Sequence, residues 1–267
     1  MTLDALLLDL DDTLLVEYAS ADEAFHQACL LAAQRYAVDP DKLHATARRT
    51  ARTIWHAAPA RNYAVDIGIS SWEALWARFE GNHHPALDTL RQYAPEYRLS
   101  VWQTALAAHG IQDRDLAEAM GACFISVRRS LHLVYADVAR NLQALARLYP
   151  LGLVTNGLAC LQQFKIDRSA LAHYFEAIVI AGQIGLAKPH RAVFAQALRE
   201  LGARPDRVIM VGNSLKSDIA GAQAAGLRAI WLNRLCEPLP DGIVPDAQIE
   251  TLDHLEETLR AMAAPAP

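Results

Sequence analysis

The stretch Ala5-Leu6-Leu7-Leu8-Asp9-Leu10-Asp11-Asp12-Thr13-Leu14 decides the fold of this chain. Its apolar run, Ala5 to Leu8, is typical of a strand buried on both faces, as in a parallel sheet. Three carboxylates then follow within four residues at the end of that strand. Because like charges repel and buried charge is costly, a structural role alone does not account for them. We therefore expect a functional site at this end, where open α/β sheets bind ligands.

Asp9 and Asp11 lie two positions apart, so on a strand their side chains share a face, about 6.6 Å apart along it. In that arrangement Asp9 can attack a docked group, Asp11 can handle a proton, and together they can hold a hard cation. The structural alternative is a solvated turn in which Asp12 and Thr13 cap a helix. The motif alone favours neither interpretation.

Composition limits the class of protein. The 267 residues are 52% hydrophobic, enough for a sizeable core in one large domain or two modest ones. A net charge of -5 gives no indication of nucleic-acid or anionic-membrane partners, and it leaves the oligomeric state open. The scattered cysteines form no CxxC pair, which argues against structural zinc and for a reducing compartment. With no signal-peptide pattern and no membrane-length apolar run, we expect a cytoplasmic protein.

After Leu15 the strand signals stop, and residues 16–133 predict only helices. The expected helices are 22–38, 41–57, a short one capped by Ser70 or Ser71, 85–93, 96–109 and 113–130. Four of the five tryptophans lie in this block, at spacings that favour packing over a ligand site. A loop at Pro59–Ile69 is either functional or a surface crossover. The adjacent histidines in Gly81–Pro85 fit a solvated turn.

From Val134 onward strands and helices alternate. The expected strands are 151–155, 177–181, 207–211 and 228–232, and the expected helices are 137–148, a segment after 157, 191–201, 218–225 and one from about 252. This alternation predicts a doubly wound, Rossmann-like parallel sheet, with frayed residues at Ala263–Pro267. The sheet domain would comprise residues 1–15 and 134–267, and residues 16–133 would be an inserted all-helical cap.

Polar residues follow several of these strands, so they should meet at one edge of the sheet. Phosphoryl transfer is the chemistry they can share, because a carboxylate nucleophile forms an acyl phosphate while a cation and a lysine neutralise the charge. A threonine hydroxyl and nearby main-chain N–H groups can hold phosphoryl oxygens. The residues are Asp9 and Asp11, Thr155 with Asn156 and Gly157, Lys188, and Asn213 with Asp218.

Through four motifs the chain resembles the haloacid dehalogenase superfamily, in the branch with a helical cap inserted after the first motif. They are Asp9–Leu14, Thr155-Asn156-Gly157, Lys188-Pro189, and Gly212 through Asp218. The resemblance implies a hydrolase acting on a small-molecule phosphomonoester. Asp9 would be the nucleophile, Asp11 the general acid and base, Thr155 and Asn156 the phosphoryl-holding residues, and Lys188 the cation that steadies both.

The resemblance also implies Mg²⁺, held by the Asp9 carboxylate, the Asp11 main-chain carbonyl and the fourth-motif residues Asn213 and Asp218. Relatives usually have an acid where this chain has Asn213, whose amide oxygen can coordinate Mg²⁺ but brings no charge. The cap would select the substrate, with Arg61 and Tyr63 contacting its non-phosphate part.

Three other functions remain open at this point. A haloacid dehalogenase would attack carbon without a metal, but such relatives lack a second acid like Asp11. A phosphomutase would need a bisphosphate primer, and the sequence Asp-Asp-Thr looks more like the phosphatases. A weakly catalytic phospho-ligand-binding protein is supported only by Asn213.

Overall fold

The computed structural model describes residues 3–81 and 84–263 of the chain. Its contacts divide the chain into two compact units. The first comprises Met1–Val16, Val134–Asn156 and Gln162–Pro267, and the second comprises Glu17–Leu133 and Gly157–Leu161. In the described residues no helix is both long and apolar enough to cross a membrane.

The first unit is built on a six-stranded parallel sheet with the strand order β3-β2-β1-β4-β5-β6. The predicted doubly wound parallel fold is confirmed, with the first strand of the chain inside the sheet. The strands are β1 (Ala5–Leu8), β2 (Leu151–Thr155), β3 (Ala177–Ile180), β4 (Val208–Gly212), β5 (Arg228–Leu232) and β6 (Ala247–Ile249).

Strand β1 is buried on both faces, as its apolar run predicts. Leu6 and Leu8 face one hydrophobic cluster, and Ala5 and Leu7 face another. The period-two alternation of a strand puts neighbouring side chains on opposite faces, so four apolar residues in a row need cover on both sides. The helices of this unit supply that cover.

Among the described residues of this unit, six α-helices belong to it wholly or partly. They are α7 (Val138–Leu145), α8 (Ala159–Ser169), α9 (Ala181–Ile184), α10 (Arg191–Leu201), α11 (Ala220–Ala224) and α12 (Leu255–Ala263). The apolar sides of α7 and α12 pack with the first cluster, and that of α10 packs with the second. The sheet is therefore covered on both faces, with its strand ends left for polar residues.

Three details of the first unit differ from the sequence expectation. Strand β6 was not predicted, because three residues with one exposed glutamine carry no recognisable alternation. The helix expected at 218–225 begins earlier as a π-helical turn, Leu215–Ile219, and then continues as α11. Strand β4 ends one residue later than expected, at Gly212.

The second unit is helical in its described residues. Its helices are α1 (Glu17–Arg35), α2 (Pro40–His56), α3 (Arg61–Asp66), α4 (Ser71–Ala74), α5 (Pro85–Ala107) and α6 (Arg114–Ser130). Phe25 lies at its centre, with ring centroids 4.7 Å from Phe124 and 5.7 Å from Trp102. These rings are fully or nearly fully buried, so the predicted packing role of the aromatic residues holds for them.

Two predictions for the second unit are wrong. The expected loop at Pro59–Ile69 contains helix α3, which is too short to produce a readable apolar period. The two helices expected at 85–93 and 96–109 are one helix, α5, that continues through Pro95. A proline removes one intrahelical hydrogen bond, but residues before and after it, Leu90 and Tyr97 among them, are buried, so both halves of the helix are packed.

Part of the histidine-containing turn, Gly81–Pro85, lies outside the described residues. Asn82 and His83 lie outside the described residues, as does the tail from Ala264 to Pro267. His84 caps helix α5, because its Nδ1 accepts a hydrogen bond from the main-chain N–H of Ala86 at 3.2 Å. The same ring stacks on Tyr63 with a centroid separation of 4.2 Å. This histidine therefore has a structural role in the second unit.

Candidate active site

Asp9 follows directly after β1 and is held from three sides. Its main-chain N–H donates to the Val211 carbonyl of the neighbouring strand at 3.0 Å, which extends the sheet pairing by one residue. Its carboxylate Oδ1 lies 2.6 Å from Lys188 Nζ. Its Oδ2 accepts a hydrogen bond of 2.8 Å from the Thr13 hydroxyl. The side chain is 9% exposed, so this carboxylate is nearly buried, and contacts on both oxygens orient it.

Lys188 is the cation of the site. Its Nζ lies 2.6 Å from Asp9 Oδ1 and 2.8 Å from Asp218 Oδ1, and it donates to the Val154 carbonyl at 2.6 Å. Burial would lower the pKa of Lys188, but the charges of Asp218 and Asp9 outweigh it and the pKa is raised. The ammonium form is therefore stabilised between the two carboxylates.

Asp218 supports Lys188 from the opposite side. Its Oδ2 accepts a hydrogen bond of 2.9 Å from the Ser214 N–H, and its Oδ1 pairs with Lys188. Burial first, and then the charge of Asp9, raise the pKa of Asp218 to about 6, although Lys188 opposes this. A Cβ at position 212 would collide with the Asp218 carboxylate, so only glycine allows this close approach.

Asn213 is fixed by main-chain contacts. Its N–H donates to the Thr13 hydroxyl at 3.2 Å, and its carbonyl accepts from the Trp231 indole at 2.8 Å. Its side-chain Oδ1 lies 3.5 Å from the same Thr13 hydroxyl. That hydroxyl has one proton, which goes to Asp9 at the shorter distance, so the Asn213 oxygen is only weakly engaged.

Asp11 points toward helix α8. Both of its carboxylate oxygens lie near Lys165 Nζ, at 3.1 Å and 3.0 Å. Gln162 Nε2 donates to Asp11 Oδ2 at 2.8 Å. The side chain is therefore held in one orientation by an ammonium and an amide.

The second motif is involved in contacts of its own. The Thr155 hydroxyl accepts from Gln162 Nε2 at 2.7 Å. The Asn156 side chain accepts the Lys188 main-chain N–H at 2.8 Å and donates to the Lys188 carbonyl at 3.1 Å, so it joins the two loops. Gly157, which belongs to the second unit, donates its N–H to the Ile67 carbonyl at 2.7 Å.

Oxygen donors of the kind that Mg²⁺ prefers meet at Thr13. The Asp9 carboxylate and the Asn213 amide oxygen both contact its hydroxyl, and the Asp11 carbonyl belongs to the same turn. Among the described residues no group of three or more His, Cys, Asp and Glu side chains is arranged to hold a metal. The two side-chain oxygens that meet at Thr13 are therefore a mixed pair, one from a carboxylate and one from a neutral amide, and both are donors of a type that can hold Mg²⁺.

The structure brings most of the predicted site residues together in the first unit. Asp9, Lys188, Asp218 and Asn213 are linked directly or through Thr13. A second linked set joins Asp11 to Thr155, and Asn156 connects to the main chain of Lys188. The predicted substrate-contacting residues Arg61 and Tyr63 belong to helix α3 of the second unit.

Sequence reasoning missed Gln162 and Lys165. Both lie on α8, three residues apart, so they share one helix face, and both are fully or nearly fully buried. Their spacing after the Thr155-Asn156-Gly157 motif was the available signal. Long polar side chains on a helix are usually solvated, however, so the helical pattern alone does not predict that these two are buried.

The chain has relatives of known family. A family model described as haloacid dehalogenase-like hydrolase matches residues 3–226. Phosphoserine phosphatase of Thermus thermophilus is 35% identical over 250 residues, which is 92% of this chain and 95% of that protein. Pyrimidine 5'-nucleotidase YjjG of Escherichia coli is 41% identical over 111 residues, which is 41% of this chain and 49% of that protein.

Solved structures agree at the level of the fold. A 2-haloacid dehalogenase from Pseudomonas syringae pv. Tomato has a TM-score of 0.61 at 26% identity, and the match covers 98% of this chain and 100% of that one. The HAD-hydrolase YfnB from Bacillus subtilis has a TM-score of 0.67 at 20% identity, and the match covers 97% of this chain and 99% of that one. With the family model matching most of its length, the chain belongs to the haloacid dehalogenase-like hydrolases.

Proposed function

We propose that this enzyme is a Mg²⁺-dependent phosphatase that cleaves a small-molecule phosphomonoester through an aspartyl-phosphate intermediate. The observation that carries the proposal is the Asp9 carboxylate at the end of β1, with Lys188 Nζ 2.6 Å from one oxygen and Thr13 on the other. A buried lysine beside a carboxylate lowers the repulsion that a phosphate dianion would meet. The phosphoserine phosphatase relative, similar over most of the chain, supports this reaction class.

In the first half of the reaction Asp9 attacks phosphorus. The new bond joins a carboxylate oxygen to phosphorus, the ester P–O bond breaks, and the leaving oxygen takes a proton from Asp11. Lys188 stays charged throughout, because Asp9 and Asp218 hold it on two sides. The Thr155 hydroxyl accepts a hydrogen bond from Gln162 and can donate its own proton to a phosphoryl oxygen.

In the second half, water attacks phosphorus and releases inorganic phosphate. Asp11 accepts a proton from that water, and the Asp9 carboxylate is restored. Asp9, the Asp11 carbonyl, Asn213 and Asp218 would hold Mg²⁺. When bound, the ion supplies positive charge against the carboxylates and the phosphate dianion.

The test is hydrolysis of p-nitrophenyl phosphate and a panel of phosphorylated metabolites, with Mg²⁺ and with EDTA. We expect phosphate release that stops when the chelator is added. If none of the phosphomonoesters is hydrolysed, the proposal is wrong, and a phospho-ligand-binding protein is favoured. Halide release from a 2-haloacid that persists in EDTA would instead favour a dehalogenase, the activity named for one similar structure.

Asn213→Asp should lower the Mg²⁺ concentration that gives half-maximal activity by about three- to tenfold, because cation affinity rises with ligand charge. Asp218→Asn should raise that concentration sharply or abolish activity. The measurement is a Mg²⁺ titration of activity in each protein.

Gln248→Glu is the matched control for the Asn213 variant, since it adds a carboxylate at an exposed position of the edge strand β6. Its Mg²⁺ midpoint should equal that of the wild-type enzyme. If Asn213→Asp leaves the midpoint unmoved as well, Asn213 is not a ligand, and its departure from the family pattern is incidental.

We further propose that the second unit acts as the helical cap that selects the substrate, with Arg61 and Tyr63 contacting its non-phosphate part. Both lie on helix α3. Burial raises the pKa of Tyr63, so its hydroxyl stays protonated and can donate a hydrogen bond. Binding energy from such contacts would orient the ester for attack.

Replacing Arg61 and Tyr63 together by alanine should change the order of preferred substrates, while p-nitrophenyl phosphate turnover falls less than about threefold. The measurement is kcat/KM across the metabolite panel. Because Tyr63 also stacks on His84, Tyr63→Phe tests the hydroxyl with the stack retained. Arg52→Ala, at an exposed position of α2, is the control. If the order of substrates is unchanged, Arg61 and Tyr63 do not contact the substrate, and α3 has only a structural role.

A further inference from the structure

Two buried polar side chains on helix α8 lie outside the motifs that identify the family. Gln162 is 0% exposed and Lys165 is 1% exposed. Burying an amide or an ammonium is costly unless it is hydrogen-bonded or paired, so their contacts need an explanation. Both belong to the first unit, and both contact residues of the proposed mechanism.

Lys165 fixes the plane of the Asp11 carboxylate. Its Nζ lies 3.1 Å from Oδ1 and 3.0 Å from Oδ2, so one ammonium contacts both oxygens. A carboxylate with a single contact can still turn about its last bond, whereas two contacts to one buried cation oppose that rotation. Asp11 is the residue for which orientation matters most, because proton transfer requires hydrogen-bond distance and alignment.

Gln162 connects Asp11 to the phosphoryl-binding side of the site. Its Nε2 donates to Asp11 Oδ2 at 2.8 Å and to the Thr155 hydroxyl at 2.7 Å. Asp11 Oδ2 is the acceptor in this contact, so the amide nitrogen of Gln162, and not its amide oxygen, faces Asp11. One amide group therefore sets the relative position of two proposed reaction residues.

The amide oxygen of Gln162 strengthens this argument. It is buried, and among the described residues it has no hydrogen-bond partner. Leaving a buried acceptor unsatisfied costs free energy, so a purely structural glutamine would be expected to bond through both ends. The contacts on its nitrogen side therefore determine how this side chain is placed.

We propose that Gln162 and Lys165 are positioning residues, which hold Asp11 for proton transfer to the leaving oxygen and Thr155 for the phosphoryl group. The inference rests on the proposed phosphatase function. In this proposal the transferred proton passes between Asp11 and the leaving oxygen or the attacking water, and Lys165 acts only on the orientation of Asp11. The helix that follows the second motif thus acts on the first motif through two side chains.

The experiment compares two esters in Lys165→Met, Lys165→Arg and the wild-type enzyme. One ester is p-nitrophenyl phosphate, whose leaving group departs with little help from a proton, and the other is an alkyl phosphomonoester that the wild-type enzyme hydrolyses. We expect Lys165→Met to lower kcat/KM about 100-fold for the alkyl ester and less than about tenfold for p-nitrophenyl phosphate. Lys165→Arg should recover part of the alkyl-ester activity, because it restores the cation.

Asp11→Asn removes the proton donor itself, so it sets the largest loss expected from poor positioning. Its kcat/KM should fall about 10²–10⁴-fold on the alkyl ester, and less on p-nitrophenyl phosphate. The controls are Gln163→Leu on the exposed face of α8 and Lys42→Met on α2, which should match the wild-type enzyme on both esters. Equal losses on the two esters in Lys165→Met, or no recovery in Lys165→Arg, would overturn the positioning role.

Circular dichroism and thermal unfolding show whether Lys165→Met folds. If it does not, Gln162→Leu replaces it in the same experiment. It removes the amide while Lys165 stays in place, and it should show the same preferential loss on the alkyl ester. An equal loss on both esters would again overturn the inference. A wild-type enzyme that hydrolyses no phosphomonoester would overturn the proposed function itself, so the two failures are distinguishable.

Discussion

Asp9→Asn should reduce phosphomonoester turnover by at least about 10⁴-fold, because the substitution replaces the attacking carboxylate by an amide of nearly the same shape. The expected loss is in kcat, since the surrounding contacts that hold a phosphate are kept. The asparagine oxygen can keep the contact with Lys188, and its NH2 group can donate to the Thr13 hydroxyl, so the asparagine should still fit the site.

The covalent step can be observed directly. Rapid quenching of the wild-type enzyme with a phosphate-labelled substrate should trap label on the protein, and the Asp9→Asn protein should carry none. Asp115→Asn, at an exposed position of α6, removes a carboxylate outside the site and should behave as wild type. Near-normal turnover in Asp9→Asn would show that Asp9 is not the nucleophile.

Lys188→Met should abolish activity and also destabilise the protein. Lys188 is almost completely buried between Asp9 and Asp218, which are themselves buried, so its removal leaves two carboxylates without their cation. Breaking a buried ion pair by removing one partner typically lowers the free energy of unfolding by about 3–5 kcal/mol. We expect a loss in that range from urea unfolding, and at least about 10³-fold in kcat/KM.

A double variant separates the two effects. Asp218→Asn in the Lys188→Met background removes one of the uncompensated charges, so part of the lost stability should return while activity stays absent. Asp241→Asn, at an exposed position, is the matched control in the same background and should recover nothing. If Lys188→Met unfolds at the wild-type urea concentration, Lys188 does not hold the two carboxylates together.

The sheet and its polar edge could be predicted from short stretches of sequence. An apolar run such as Ala5–Leu8 requires cover on both faces, and its alternation with helical patterns implies parallel strands. Residues that follow such strands, such as Asp9 and Asn213, share one edge because parallel strands point the same way. Family and fold therefore follow from short stretches of sequence, and the parallel sheet agrees with them.

The shortest strands and helices could not be predicted from the sequence. Strand β6 and helix α3 are too short for a period to be read, so tertiary packing rather than local pattern defines them. Helix α5 continues through Pro95, and residues before and after that proline are buried, which the local sequence pattern does not predict. In each case long-range contacts outweigh intrinsic propensity.

What the sequence by itself determined is the type and order of the reactive groups, because each motif lies within a few residues and its chemistry belongs to its side chains. Only the tertiary structure decided which cation serves which carboxylate. Lys188 pairs with Asp9 and Asp218, and Lys165, 154 positions from Asp11, pairs with that residue instead. Such pairing depends on distances of a few ångströms between residues far apart in the chain, because a buried charge is tolerated only where a partner in contact offsets the cost of removing it from water.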